Sequence, residues 1–195
     1  YRIINMDLLT YAGNLGNLKD IENKDNYTFI KCDICNSMKV SQVFNNYNID
    51  SVIHLAAESH VDRSIENPAP FVMSNVIGTM NILDFARKCD NLEAFVYFST
   101  DEVFGPAPKG VNYKEWDRYN CTNPYSASKA GGEELTLAYM NTYELPGFIT
   151  HTMNIFGERQ HPEKYIPMCI RKILAGETIT VHGTPDKKES GSRYY

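Results

Sequence analysis

The sequence has no run of about 18 apolar residues, so no segment reads as a membrane-spanning helix. It has no basic excess either. Lys and Arg number 19 against 24 Asp and Glu, for a formal net charge of −5, which disfavours a general binder of nucleic acid or acidic membranes. Low-complexity blocks and internal repeats are absent. The five cysteines are an odd set without a signal peptide, which points to reduced thiols and a cytoplasmic protein. Cys32 and Cys35 form a C-x-x-C, but no second pair stands at metal spacing, and the motif follows a predicted strand instead of opening a helix. No metal site is expected.

One further absence concerns phosphate binding. No G-x-G-x-x-G or related glycine-rich turn occurs, although such a turn normally joins the first strand and helix of a dinucleotide fold. The chain opens directly on a strand ending at Asp7, as though a first βα unit were cut away, and it stops at GSRYY without a closing element. The expectation is a fragment, with residues 1–157 forming a nucleotide-binding domain and residues 158–195 beginning a second region.

What is present is a chain of 195 residues, 43% hydrophobic and 22% charged, enough for one α/β domain with a sizeable core. Strand-like runs are RIINM (Arg2–Met6), YTFIKC (Tyr27–Cys32), SVIHLAA (Ser51–Ala57), AFVYFS (Ala94–Ser99), GFITHTM (Gly147–Met153) and TITVH (Thr178–His182). Between them lie predicted helices near Ser37–Tyr47, Pro68–Cys89, Pro124–Tyr143 and Pro162–Leu174. The rhythm predicts a doubly wound, mostly parallel sheet with helices on both faces. Ligands of such sheets bind beyond the carboxyl ends of the strands. Asp7, Asp33, Ala57–Ser59, Thr100–Glu102 and Asn154 all fall at or just after strand ends, so they predict one polar rim.

Within that rim, Tyr125 and Lys129 form a Y-x-x-x-K on a predicted helix, where i and i+4 share a face. An ammonium one turn away can lower a phenol toward useful basicity, so that it takes a hydroxyl proton while hydride leaves the same carbon. Alone the motif is common. Here Ser99-Thr100 precede it at a strand tip, followed by two adjacent carboxylates, Asp101 and Glu102. Asp7 at the first strand end can accept from both hydroxyls of a ribose and repel a 2′-phosphate, which favours NAD over NADP. Small residues at Ala56 and Ala57 permit close approach of a cofactor, or equally tight packing.

These features resemble the extended short-chain dehydrogenase/reductase family. The segments STDEVFG, NPYSASKA, HLAAESHVDRS, DLLTYAGNL and HPEKYIP together resemble its nucleoside-diphosphate-glucose 4,6-dehydratases. The resemblance implies NAD as cofactor and a nucleotide-sugar substrate, dTDP-glucose ahead of UDP-glucose. It implies catalytic roles for Thr100, Asp101, Glu102, Tyr125 and Lys129, with Glu102 the base at C5 and Asp101 the acid at C6. Cofactor contacts are implied at Asp7, Leu8, Leu9, Thr10, Asp33, Ile34, Leu55, Ala56, Ala57, Ser59, Ser74, Tyr125, Lys129 and, through its backbone, Ile155. Substrate contacts are implied at Ser59, Arg63, Thr100, Asn154, Lys164, Tyr165 and Arg193. A homodimer through a four-helix interface is implied for the two long helices. His60 is not needed for catalysis, and Asn75 is expected to brace neighbouring backbone. A 4-epimerase or decarboxylase on the same scaffold needs no Asp101. A non-catalytic nucleotide-binding relative is the alternative from another class.

Overall fold

The order of apolar runs along the chain becomes the order of strands in space. In the computed structural model, which describes residues 1–181, β1 (Ile3–Asp7) pairs in parallel with β2 (Tyr27–Lys31) from Ile3 opposite Tyr27 to Asp7 opposite Lys31. A second parallel sheet runs in the order β3 (Ser51–His54), β4 (Ala94–Thr100), β5 (Gly147–Thr152). The parallel α/β class is therefore the one expected, although β1 and β3 are not hydrogen-bonded neighbours.

β4 is the central strand of the second sheet, paired on both sides. Phe95, Tyr97 and Ser99 alternate into the interior, the period of two that a strand dictates. Phe95 and Tyr97 are wholly buried against Leu83, Val40, Ala86 and Cys32. Helices α1 (Ser37–Asn46) and α4 (Thr79–Ala86) supply much of that cluster. A smaller cluster of Val103, Phe104 and Ala130, with Tyr113, Tyr119 and Cys121 against it, sits just behind the tip of β4.

The longest helix, α5 (Pro124–Tyr143), has local causes at both ends. The Asn123 side chain accepts from Ser126 N at 2.8 Å while Ser126 Oγ accepts from Asn123 N, and Pro124 occupies the first turn. Glu144 adopts a left-handed φ of 56° and ends it. Midway, Gly132 allows unusual proximity. A Cβ there would lie 2.4 Å from the Asn75 carbonyl oxygen and 2.4 Å from Tyr97 OH.

Five details depart from expectation. The predicted Pro68–Cys89 helix is a composite of α3 (Ala69–Val72), a π turn (Met73–Gly78) and α4, ending at Ala86. Thr79 Oγ1 donates to the Asn75 carbonyl at 2.7 Å, and the Asn75 side chain is drawn sideways to Glu58 and Ser128, which loosens the regular ladder. Pairing of β3 stops at His54, so Leu55–Ala57 lie beyond the strand. The last helix, α6, spans Tyr165–Leu174, starting three residues later than Pro162. Thr178–Val181 form no strand, since no described residue pairs with them, and His182 lies outside the described residues. A short helix, α2 (Val61–Glu66), has no counterpart in the sequence reading.

Leu83 is fully buried in the main cluster. Leu83→Ala is expected to lower unfolding stability by about 2–5 kcal/mol, measured by urea denaturation.

Candidate active site

The tip of β4 is a shaped turn. Thr100 Oγ1 accepts from Glu102 N at 3.2 Å, capping a 3-10 turn over Asp101–Phe104. The same hydroxyl donates to Asp101 Oδ1 at 3.3 Å. Gly105 ends the turn with a φ of 70°, where a Cβ would come within 2.3 Å of the Asn120 carbonyl oxygen. Asn120 N donates to Val103 O at 2.9 Å and ties the following loop beneath. The two carboxylates are therefore held by structure instead of waving in solvent. Burial pushes the Asp101 carboxyl up, against the opposing pull of backbone and Thr100 hydrogen bonds and the more distant His151. Asp101 Oδ2 is buried with no hydrogen-bond partner among the described residues. Glu102 Oε2 accepts from Asn123 Nδ2 at 3.4 Å, which joins this turn to the start of α5.

α5 brings Tyr125 and Lys129 to the same place, one turn apart. Lys129 is only 4% exposed. Its Nζ donates to Phe98 O at 2.6 Å and lies 4.3 Å from the Tyr97 ring centre. Burial lowers its pKa to about 8, with Glu133 opposing the shift. The Tyr125 backbone N–H donates to Ser64 Oγ at 3.1 Å, and Phe71 meets the Tyr125 ring edge-on. Asn75 braces the rim: its Oδ1 accepts from Glu58 N at 2.8 Å, while its Nδ2 donates to Glu58 O and to Ser128 Oγ.

The residues assigned to a cofactor line the neighbouring strand ends. After β1, Asp7 Oδ1 accepts from Leu9 N at 2.6 Å and helps hold Leu9 at a left-handed φ of 57°. Leu8 and Thr10 flank it and are exposed. After β2, Asp33 Oδ1 accepts from Cys35 N at 2.8 Å, and Ile34 is buried beneath Gly78. After β3 come exposed Leu55, half-buried Ala56 and Ala57, and exposed Ser59. Ser74 is half-buried on the π turn. His60 caps α2, its Nδ1 accepting from Arg63 N at 3.4 Å.

On the other side, Asn154 and Ile155 are exposed just after β5. Lys164 immediately precedes α6, whose first residue is Tyr165, and its side chain makes no capping hydrogen bond. Arg193 lies outside the described residues. Sequence reasoning missed the cluster that joins this side to the β1 loop. Tyr11 OH donates to Glu163 Oε1 at 3.0 Å, Arg63 stacks 3.6 Å from the Tyr11 ring centre, and His60 and His161 lie 3.8 and 3.6 Å from Glu163. It also missed Glu133, buried among Ser99, Tyr119 and His151. The signal for Glu133 was its place four residues beyond Lys129 on the same helix face. Among the described residues no group of His, Cys, Asp or Glu could hold a metal ion. Burial pushes the Cys35 thiol up to about 11, and its Sγ donates to Met73 O at 3.1 Å.

A lysine held at about 8 when folded and near 10.5 when unfolded destabilises fully below pH 8. Between about pH 8 and 10.5 the unfolded chain binds more protons, so this penalty fades as pH rises. The stability of the natural chain relative to Lys129→Met is therefore expected to rise by about 2–3 kcal/mol between pH 7 and pH 10. Urea denaturation of both at the two pH values checks it, and a difference that does not change with pH would contradict it.

Comparison with known proteins matches the sequence and the fold to one family. The family model described as GDP-mannose 4,6 dehydratase matches residues 1–191. The dTDP-glucose 4,6-dehydratase of Salmonella typhimurium is 41% identical over 95% of this chain and 56% of its own length. The chain thus spans little more than half of the curated relatives it matches. A crystal structure of dTDP-glucose 4,6-dehydratase from Bacillus anthracis in complex with NAD superposes with a TM-score of 0.85 at 37% identity, over 94% of this chain and 56% of that one. A UDP-glucuronic acid 4-epimerase from Bacillus cereus, in complex with UDP-glucuronic acid and NAD, gives 0.85 at 26% identity, over 94% and 58%. With the tyrosine, the lysine and the paired carboxylates gathered at the strand ends of a parallel α/β fold, the chain belongs to the GDP-mannose 4,6 dehydratase family.

Proposed function

We propose that the chain carries the catalytic machinery of an NAD-dependent nucleoside-diphosphate-glucose 4,6-dehydratase, with dTDP-glucose as substrate. The observation that carries this reading is Asp101, a carboxyl whose burial favours its protonated form and whose Oδ2 is buried without a partner among the described residues, adjacent to Glu102. A site that only oxidised or epimerised C4 would have no use for an acid there. Support for the substrate comes from the relatives named dTDP-glucose 4,6-dehydratase.

The rim fits a dinucleotide. Asp7 offers an exposed carboxylate at the end of β1, suited to ribose hydroxyls, and Asp33 with Ile34 follows β2. Ala56 and Ala57 leave the backbone accessible after β3. When bound, NAD supplies a reversible two-electron store for the hydride that leaves C4 and later enters C6.

The chain's own residues then handle protons. Thr100 holds the C4 hydroxyl, and Tyr125 takes its proton as the C4 carbonyl forms, with the Lys129 ammonium favouring the phenolate. The new carbonyl acidifies C5–H, whose proton passes to Glu102. Asp101 gives its proton to the C6 hydroxyl as the C6–O bond breaks and water leaves. Glu102 returns its proton to C5 as C6 is reduced. One electron pair has moved from C4 to C6, one water has departed, and solvent resets Tyr125 and Asp101. Two carboxyls with unlike environments suit this division between acid and base.

The remaining assignments belong to the same reading. Lys164, Tyr165 and Arg193 serve the nucleotide diphosphate, with residues 158–195 opening the region that binds it. Arg63, Asn154 and Ser59 serve the sugar, while Leu55, Ser74 and Ile155 serve the cofactor. The helical segments from Ala69 to Ala86 and Pro124 to Tyr143 pair with a second copy as a four-helix interface. Exposed Val72 and Met73 on the first of them support that pairing. The free state of all five cysteines supports a cytoplasmic setting. No helix among the described residues is long and apolar enough to cross a membrane.

The natural full-length protein, incubated with NAD and dTDP-glucose, is expected to release a product lighter by one water in mass spectrometry. No water loss from dTDP- or UDP-glucose would refute the reading. Tyr125→Phe is expected to slow the whole reaction by about 10²–10⁴-fold. Asp101→Asn should slow water elimination more than C4 oxidation, and equal slowing would count against its role as acid.

A further inference from the structure

Glu133 is 1% exposed and has no part in the chemistry above. It follows Lys129 by one helical turn and Tyr125 by two, on the same face of α5. Its Oε2 accepts from Ser99 Oγ, and its Oε1 accepts from Tyr119 OH. His151 Nε2 lies 2.7 Å from the same Oε1. These partners come from β4, from the loop before α5 and from β5.

What they hold in common is the segment between them. Ser99 immediately precedes Thr100. The rings of His151 and Tyr119 pack on Phe104, with centres 4.8 and 5.4 Å away, and Phe104 closes the turn that begins at Asp101. The carboxylate therefore grips the chain directly before Thr100-Asp101-Glu102 and, through two rings, directly after it. Tyr125 and Lys129 ride on the helix that carries the grip.

We infer that Glu133 is a positioning residue for dehydration: it sets the Asp101–Glu102 pair against the oxidising Tyr125–Lys129 pair, so that acid and base reach C6 and C5 of a sugar already held at C4. This inference rests on the dehydratase reading. The oxidising pair lies on Glu133's own helix and keeps its place through the Asn75–Ser128 and Lys129–Phe98 hydrogen bonds, neither of which involves Glu133. Glu133 acts on it only through its charge, which favours the Lys129 ammonium, so its loss slows oxidation to some degree and elimination more. The carboxyl pair sits on another element and depends on the grip. Loss of Glu133 should therefore separate the two half-reactions, whereas loss of a merely structural polar group would weaken both alike.

The test compares the natural full-length protein with Glu133→Gln, Glu133→Asp and Ser99→Ala, each given NAD and dTDP-glucose and quenched over time. Mass spectrometry distinguishes a 4-keto hexose nucleotide that keeps its 6-hydroxyl from the dehydrated 4-keto-6-deoxy product. In Glu133→Gln the undehydrated ketone is expected to accumulate, because elimination slows about ten- to hundredfold more than oxidation. Glu133→Asp should recover part of that partition, and Ser99→Ala should shift it in the same direction by less. Slowing of both steps by one factor, or of neither, overturns the inference. If thermal melting shows Glu133→Gln unfolded, Ser99→Ala decides by the same criterion, since it leaves the carboxylate with Tyr119 and His151. Absence of water loss in the natural protein overturns the dehydratase reading and this inference together. Water loss there with an unchanged partition in the variants overturns this inference alone.

Discussion

Two opposite charges shielded from water one turn apart, the Lys129 ammonium and the Glu133 carboxylate, impose most of what surrounds them. A buried charge is tolerated only when paired and hydrogen-bonded, and stranding one typically costs several kcal/mol. Here each has its own partners besides the other. The ammonium reaches the Phe98 carbonyl and the face of Tyr97. Burial alone would raise the carboxyl, yet hydrogen bonds from His151, Ser99 and Tyr119 outweigh it and hold Glu133 below the ordinary carboxylate range. To supply those partners β4 must approach α5 closely, and Gly132 removes the side chain that would collide with Tyr97 of β4 and the Asn75 carbonyl.

The same closeness separates the two carboxyls at the strand tip. Asp101 and Glu102 are neighbours in sequence, but the 3-10 turn sends them into different surroundings. Asp101 is driven toward its protonated form by burial, with one oxygen unmatched. Glu102 meets an amide donor from the cap of α5. A regular strand would send successive side chains to opposite faces of the sheet. The 3-10 turn breaks that alternation at the carboxyl end of β4, where a ligand of a parallel sheet belongs.

Periodicity made the strands and the amphipathic helices legible, and α5 kept its bounds because its cap, Pro124 and its stop are all local signals. The rim was legible for the same reason: strand ends follow from strands. The π turn at Met73–Gly78 was not, since it answers to Asn75 reaching Glu58 and Ser128. Nothing within Pro68–Cys89 encodes those partners. Glu133 shows the limit most sharply. Its spacing from Lys129 could be read, but Ser99, Tyr119 and His151 come from three other places in the chain, and only the fold brings them together. Thr178–Val181 depart in the opposite sense, since their composition is that of a strand but no described strand pairs with them.

The contacts of Tyr11 with Glu163, and of Arg159 with Asn17 and Asp20, join positions 139 to 152 residues apart. These exposed polar contacts return little in water. They fasten the loop after β1 to the segment before α6, so the two sides of the rim meet there through side chains, in contrast to the buried packing of β4 on α5.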